Sequence, residues 1–185
     1  MFSTLIISRF EGAIASLTLL SFFMSLVTDA GGNAGGQTTT LIVRSITLDE
    51  FEKGDFKRVI WKELRVALCI AAIVGAFAFA WIMFETSVGI ANVKESIAGV
   101  METNPSWAHT EMQVKLVVSG LIASTLFVAM VVSRMVACML PFLAKAIKLD
   151  PAVVCGPFTT TLVDVITLLT YFLLWTFAFG PMLGL

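Results

Sequence analysis

Two aspartates stand in stretches of this chain that are otherwise apolar enough to cross a bilayer. Asp164 closes the run Gly156-Pro157-Phe158-Thr159-Thr160-Thr161-Leu162-Val163-Asp164, and Asp29 precedes Gly31-Gly32-Asn33-Ala34-Gly35-Gly36-Gln37. A charged side chain at the bilayer centre costs roughly 2.5–3.5 kcal/mol even on insertion scales, so it normally faces a protein interior or an aqueous path and serves ion or proton movement. At helical spacing Asp29, Gly32 and Gly36 share one stripe, and Gly156, Thr160 and Asp164 share another. Each stripe joins one acid to small or hydroxyl residues, which let helices approach closely and leave room for an ion carrying its water. Mg²⁺ takes octahedral oxygen at ~2.0–2.1 Å and dehydrates reluctantly, so few carboxylates, some carbonyls and retained water suit it better than a tight cage. Ca²⁺ and Mn²⁺ accept the same ligands, and these residues do not rank the three. The candidate metal-contacting set is Asp164, Thr160, Asp29, Gly32, Gly36 and Gly156.

Other chemistries compete for the same residues. Arg134 lies at a similar depth, roughly 20–25 Å along its helix at 1.5 Å per residue, and could neutralise either aspartate in a purely structural pairing. The glycine cluster could serve close packing or bending as well as ion contact. Two intramembrane acids could form an aspartyl-type enzyme, but no HExxH, phosphate-binding loop or nucleophile elbow accompanies them, so no catalytic residue and no enzyme activity is assigned. His109 is the single histidine, and among the scattered acids of 85–113 it lacks metal-ligand spacing. Cys69, Cys138 and Cys155 read as small buried hydrophobes, with no paired spacing for a disulfide or a bound metal.

The elements that must position the acids are membrane helices. Of 185 residues, 58% are hydrophobic and 14% charged, and the mean hydropathy of +0.94 does not describe a soluble domain of this length. The fold class is all-α, a polytopic transmembrane helical bundle. Apolar stretches run over 66–84, 114–143 and 151–179, each able to span ~30 Å of hydrocarbon with ~20 helical residues. A fourth, 13–46, carries the glycine cluster and Thr38-Thr39-Thr40, which predict weakened helicity and a break that protein or water must satisfy. Of the 12 Lys and Arg residues, Arg9, Lys94 and Lys115 fall on one side and the others on the opposite side. The basic side is expected in the cytoplasm, so the 45–62 and 144–150 loops are internal. The N-terminal stub, the 85–113 loop and the C-terminus are then external in a multi-pass inner or plasma membrane protein. Trp81, Trp107 and Trp175 are expected near external headgroups and Trp61 near internal ones. The mixed charges of 47–62 read as a solvated linker or surface helix, and 89–100 has only weak helical periodicity. Pro141 should loosen the end of the third span, and Asp150-Pro151 should cap and begin the fourth.

The blocks Gly-Gly-Asn-Ala-Gly-x-Gln and Thr-Leu-Ile-Val-Arg (31–44), Met-Leu-Pro-Phe-Leu (139–143), Leu-Asp-Pro-Ala (149–152) and Gly-Pro-x-x-Thr-Thr-Leu-Val-Asp-Val (156–165) occur in one order over most of the chain. Together they resemble the transmembrane domain of the MgtE magnesium channel family. The resemblance implies a homodimer in the lipid bilayer, five helices per subunit, and a divalent-cation path on the two-fold axis where the residue matching Asp164 contacts hydrated Mg²⁺. Mg²⁺ is then the transported ion, and no nucleic-acid partner is expected. The resemblance also implies cytosolic Mg²⁺-sensing domains, which residues 1–185 do not contain. The layout gives four complete spans plus Met1 to Ser8 as a remnant of a first helix, so this is either a fragment or a minimal homologue. Asp29 stands where the family usually has a small residue. The expected activity is Mg²⁺ conduction through a homodimer pore lined by Asp164; a Na⁺- or H⁺-coupled antiporter is the alternative, although no inverted repeat supports it. A membrane subunit that moves nothing would be favoured if both aspartates were paired with Arg134.

Overall fold

The computed structural model describes residues 6–7, 18–51, 54–88 and 110–179. Four helices carry the architecture: α1 over Thr18–Thr47, α2 over Phe56–Val88, α3 over Glu111–Ala146 and α4 over Pro151–Leu173, extended by a wider π turn over Leu174–Phe179. No strand occurs among the described residues. At 1.5 Å per residue the helices are about 35 to 54 Å long, more than the hydrocarbon thickness. The proposed N-terminal remnant, the 89–100 segment, Trp107, His109 and the C-terminus lie largely outside the described residues.

By length and composition, three segments can cross a membrane: Phe56–Glu85, Glu111–Ala146 and Phe158–Phe177. The expected fourth, in α1, has the length but less apolar character, because Asp29, Asn33, Gln37 and four glycines dilute its leucines and valines. It packs instead along α3 and α4, with α3 at the centre of the bundle touching all three other helices. The expected glycine break is not found. α1 runs unbroken from Thr18 to Thr47. Glycine costs ~1 kcal/mol per position in a helix relative to alanine, but close packing offsets that propensity here. A Cβ on Gly31 would lie 2.6 Å from Thr167 Oγ1 and 3.0 Å from Ser133 Oγ, and one on Gly35 would lie 3.0 Å from a Val163 methyl and 3.4 Å from Ala137 Cβ. These two glycines, one turn apart, let α1 sink onto the α3–α4 pair.

Hydroxyl groups tie the same seam. Ser133 and Thr167 share a buried hydrogen bond of 2.6 Å between α3 and α4. The Thr159 hydroxyl donates to Thr39 Oγ1 at 3.2 Å, and Thr39 donates to the Ala137 carbonyl at 3.1 Å, linking α4 to α1 to α3. That last acceptor is available because Pro141 lies inside α3 four residues on and has no N–H to return to Ala137. Proline therefore removes one internal hydrogen bond from α3, which still continues to Ala146, and Thr39 of α1 occupies the vacated position.

α2 packs principally on α3. Gly75 permits a close approach, since its Cβ would lie 3.3 Å from the Ala123 carbonyl oxygen. The opposite face of α2 leaves Ile73, Phe77, Trp81 and Phe84 exposed, as a lipid-facing stripe requires. Arg134, 5% exposed, is paired across this interface with Glu63, also 5% exposed. Its Nη2 lies 3.2 Å and its Nε 3.3 Å from Glu63 Oε2.

Both helices that end on the basic side close alike. Asp49 (φ 51°) follows α1 and Lys148 (φ 61°) follows α3 in left-handed conformation. The Glu50 N–H reaches Ser45 O at 3.0 Å and the Leu149 N–H reaches Ala144 O at 2.9 Å, satisfying carbonyls of the last turns. Asp150 then caps α4, accepting from the Ala152 N–H at 2.9 Å, with Pro151 in the first turn as expected. Two sequence expectations are corrected by packing. Trp175 is buried with Tyr171 and Phe172 rather than placed at a headgroup surface, whereas Trp61 and Trp81 are exposed. Cys69 is exposed, and only Cys138 and Cys155 behave as buried apolar side chains.

Candidate cation site

α1 and α4 run antiparallel and leave between them an open groove of about 490 Å³. α1 contributes Thr28, Asp29, Gly32, Asn33, Gly36 and Gln37, and α4 contributes Thr160 and Asp164. Every lining residue is polar or a glycine, on helices whose other outward faces carry Leu26, Leu41, Phe158 and Leu169. The groove is thus the one stretch of the α1–α4 surface, among the described residues, where oxygen and amide groups replace hydrocarbon over several turns.

The local sequence explains the geometry. Inward-facing Gly31 and Gly35 hold α1 against Val163 and Thr167 of α4, while Gly32 and Gly36, one residue later in each case, turn to the groove. A Cβ on Gly32 would lie 3.4 Å from Asp164 Oδ1, so the α1 backbone passes directly beside the carboxylate. Nothing lies within 4 Å of the equivalent point on Gly36, which leaves open volume. The glycine cluster therefore divides its labour by register between packing and an unobstructed wall.

Asp164 is half-buried and Asp29 is exposed, and both line this one groove. Two carboxylates held in such proximity repel unless a cation or proton intervenes. Among the described residues neither makes an ion pair. Arg134 does not neutralise them: it is committed to Glu63 on the α2 side of α3. The pairing that would have favoured a purely structural role for both aspartates is absent among the described residues.

Five of the six sequence-derived candidates, Asp164, Thr160, Asp29, Gly32 and Gly36, converge on this groove. Gly156 lies further along α4 and lines a neighbouring groove instead. Thr28, Asn33 and Gln37 join the site without having been singled out by sequence. The spacing of Asp29, Asn33 and Gln37 at i, i+4 and i+8 was the available signal, because it sets an amide ladder beside the acid. No group of three or more His, Cys, Asp or Glu side chains that could hold a metal occurs among the described residues. Two carboxylates, two hydroxyls and side-chain amides on an open wall fit a hydrated cation touched from one side, since Mg²⁺ retains several waters. They do not fit a closed, dehydrated cage.

Known proteins share this arrangement of sequence. The chain is 29% identical over 167 residues to a magnesium transporter MgtE of Bacillus subtilis, 28% over 167 residues to one of Enterococcus faecalis, and 26% over 171 residues to one of Thermus thermophilus. These alignments cover 90%, 90% and 92% of this chain, which spans about a third of the relatives' length (31%, 31% and 32%). Residues 24–174, which include all of the groove and the whole α3 seam, match the family described as MgtE, divalent cation transporter. On the strength of that match this chain, a helical membrane bundle, belongs to the MgtE family.

Proposed function

We propose that the chain forms the conducting part of a Mg²⁺ channel in which two copies set their α1–α4 grooves face to face. The observation that carries this reading is the groove itself, a wall of polar and glycine residues with two unpaired carboxylates on a membrane bundle. Facing lipid, such a wall would be unfavourable, by about 2.5–3.5 kcal/mol for each charge near the bilayer centre. Facing its symmetry mate, it becomes one side of an aqueous path, and a two-fold axis brings two copies of Asp164 and two of Asp29 around one cation. Four carboxylates supply the charge, while the hydroxyls, amides and retained water supply further oxygen, which suits an ion that is slow to shed its hydration shell. The relatives' description as magnesium transporters supports Mg²⁺ as the cargo. The end of the bundle that bears Arg44, Lys145 and Lys148 is read as cytoplasmic.

The test is Mg²⁺ flux into liposomes containing purified protein and a trapped indicator. Wild-type protein is expected to pass Mg²⁺ under a membrane potential with no Na⁺ or H⁺ gradient, and Asp164→Asn should reduce flux at least tenfold at equal incorporation. Removing an unpaired charge relieves rather than creates a burial cost, so the variant should still elute as the wild-type oligomer. Undiminished flux in Asp164→Asn would sink the assignment. A strict requirement for an opposing Na⁺ or H⁺ gradient would make the protein an antiporter.

A further inference from the structure

Beyond the acidic groove, the same two helices continue toward the Arg44 end and enclose a second groove of about 330 Å³. Thr40, Val43 and Arg44 of α1 face Pro151, Ala152 and Gly156 of α4 across it. Gly32, Gly36, Thr40 and Arg44 recur every four residues, and Asp164, Thr160, Gly156 and Ala152 do the same in the opposite chain direction. The two grooves are therefore successive stretches of one helical face, acidic at one end and lined at the other by a guanidinium.

Arg44 is exposed, and among the described residues no carboxylate lies in ion-pair range of it. Asp150, the acid nearest to it in the α4 turn, is turned onto the Ala152 N–H as a helix cap. The first turn of α4 adds the partial positive charge of a helix start to the same mouth. Arg44 follows Asp29 by fifteen residues. That is about 22 Å of helix at 1.5 Å per residue, more than two Debye lengths of ~8 Å in physiological salt. Arg44 is thus too distant to alter ion binding at the acids and acts on the local cation concentration at its own mouth.

We propose that Arg44 is a rectifying residue, an electrostatic filter that makes divalent cations pass more readily from the acidic end toward the Arg44 end than in reverse. The inference rests on the channel reading above. A divalent ion approaching from the Arg44 side meets the guanidinium that lines the groove before it reaches Asp29 or Asp164, while Asp150 at that end is held on the start of α4, so the ion's occupancy of that mouth is depleted. An ion arriving from the acidic end meets the carboxylates first and is repelled by Arg44 only as it leaves. With the basic end in the cytoplasm, the preferred direction is inward.

The experiment is current recording from excised patches containing the full chain, with equal Mg²⁺ on both faces and voltage of either sign. Wild-type channels are expected to rectify. Arg44→Gln should raise the current admitted from the Arg44 side roughly two- to fivefold, the range set by one or two unit charges acting on a divalent ion in high dielectric. Arg44→Lys should keep the wild-type asymmetry. A second readout does not depend on any variant: raising monovalent salt from about 0.1 M to 1 M shortens the Debye length to ~3 Å and should flatten wild-type rectification. Equal rectification in wild type and Arg44→Gln, or rectification insensitive to salt, would overturn the role of Arg44 while leaving the channel intact. A wild-type patch silent to Mg²⁺ would overturn the channel reading and this inference together.

Discussion

Glu63 and Arg134 form the most deeply buried ion pair among the described residues, at 3.2 Å, and hold α2 to α3. Breaking such a pair from one side strands a charge in low dielectric, at a cost of about 3–5 kcal/mol, whereas replacing both partners with apolar residues of similar volume is often neutral or better. Arg134→Met should therefore lower the unfolding temperature of the detergent-solubilised protein sharply, and Glu63→Leu combined with Arg134→Met should recover most of the loss. An Arg134→Met protein as stable as wild type would disprove the pairing. The pair also shows where residue-level reading succeeds and fails. Asp29 and Asp164 stand out in the sequence because a lone acid in an apolar run has few explanations, and the fold brings both to one groove. Glu63 sits in Lys62-Glu63-Leu64-Arg65, which looks like a solvated charge run, and its burial comes from a partner 71 residues away. Depth along a helix puts Arg134 level with the aspartates, but depth carries no information on which side of the helix a residue faces. That angle separates the pair from the groove.

At the scale of elements, the joint between α1 and α3 depends on an interaction that Pro141 creates by subtraction. With no N–H at position 141, the Ala137 carbonyl lacks its helical donor, and the Thr39 hydroxyl supplies one at 3.1 Å. The two residues should therefore be energetically coupled. Thr39→Val alone leaves a buried carbonyl without a donor and is expected to cost about 1–3 kcal/mol. In a Pro141→Ala background the helix can satisfy that carbonyl itself, so the same substitution should cost markedly less. A double-mutant cycle in reversible unfolding gives the coupling directly, and strictly additive effects would refute it. The proline and the threonine are each legible in the sequence, and Pro141 reads as a residue that removes an internal hydrogen bond from its helix. Their meeting is not, because it requires the parallel register of α1 and α3. The glycine cluster illustrates the same limit in reverse. Low helix propensity over 31–36 predicts a break, yet tertiary contact of Gly31 and Gly35 with α3 and α4 overrides propensity and keeps α1 continuous.

At the scale of the molecule, the bundle is asymmetric in what it shows to its surroundings. α2 presents an apolar and aromatic stripe, while the α1–α4 face presents a groove without hydrocarbon. The groove is open along one side, and under the proposed pairing a second copy of the chain supplies the other half of the path. That makes the channel vulnerable to dominant inheritance. In a cell expressing wild-type and Asp164→Asn subunits equally, random pairing leaves about a quarter of dimers with both aspartates intact. Mg²⁺ uptake in such co-expressing cells is expected to fall well below half of the wild-type level, approaching a quarter if mixed dimers are silent. Uptake that simply tracks the wild-type gene dose, at half, would mean that each subunit conducts alone. An allele that merely prevents folding would be recessive, so the dominance of an allele would itself tell whether its altered residue faces the partner or the core.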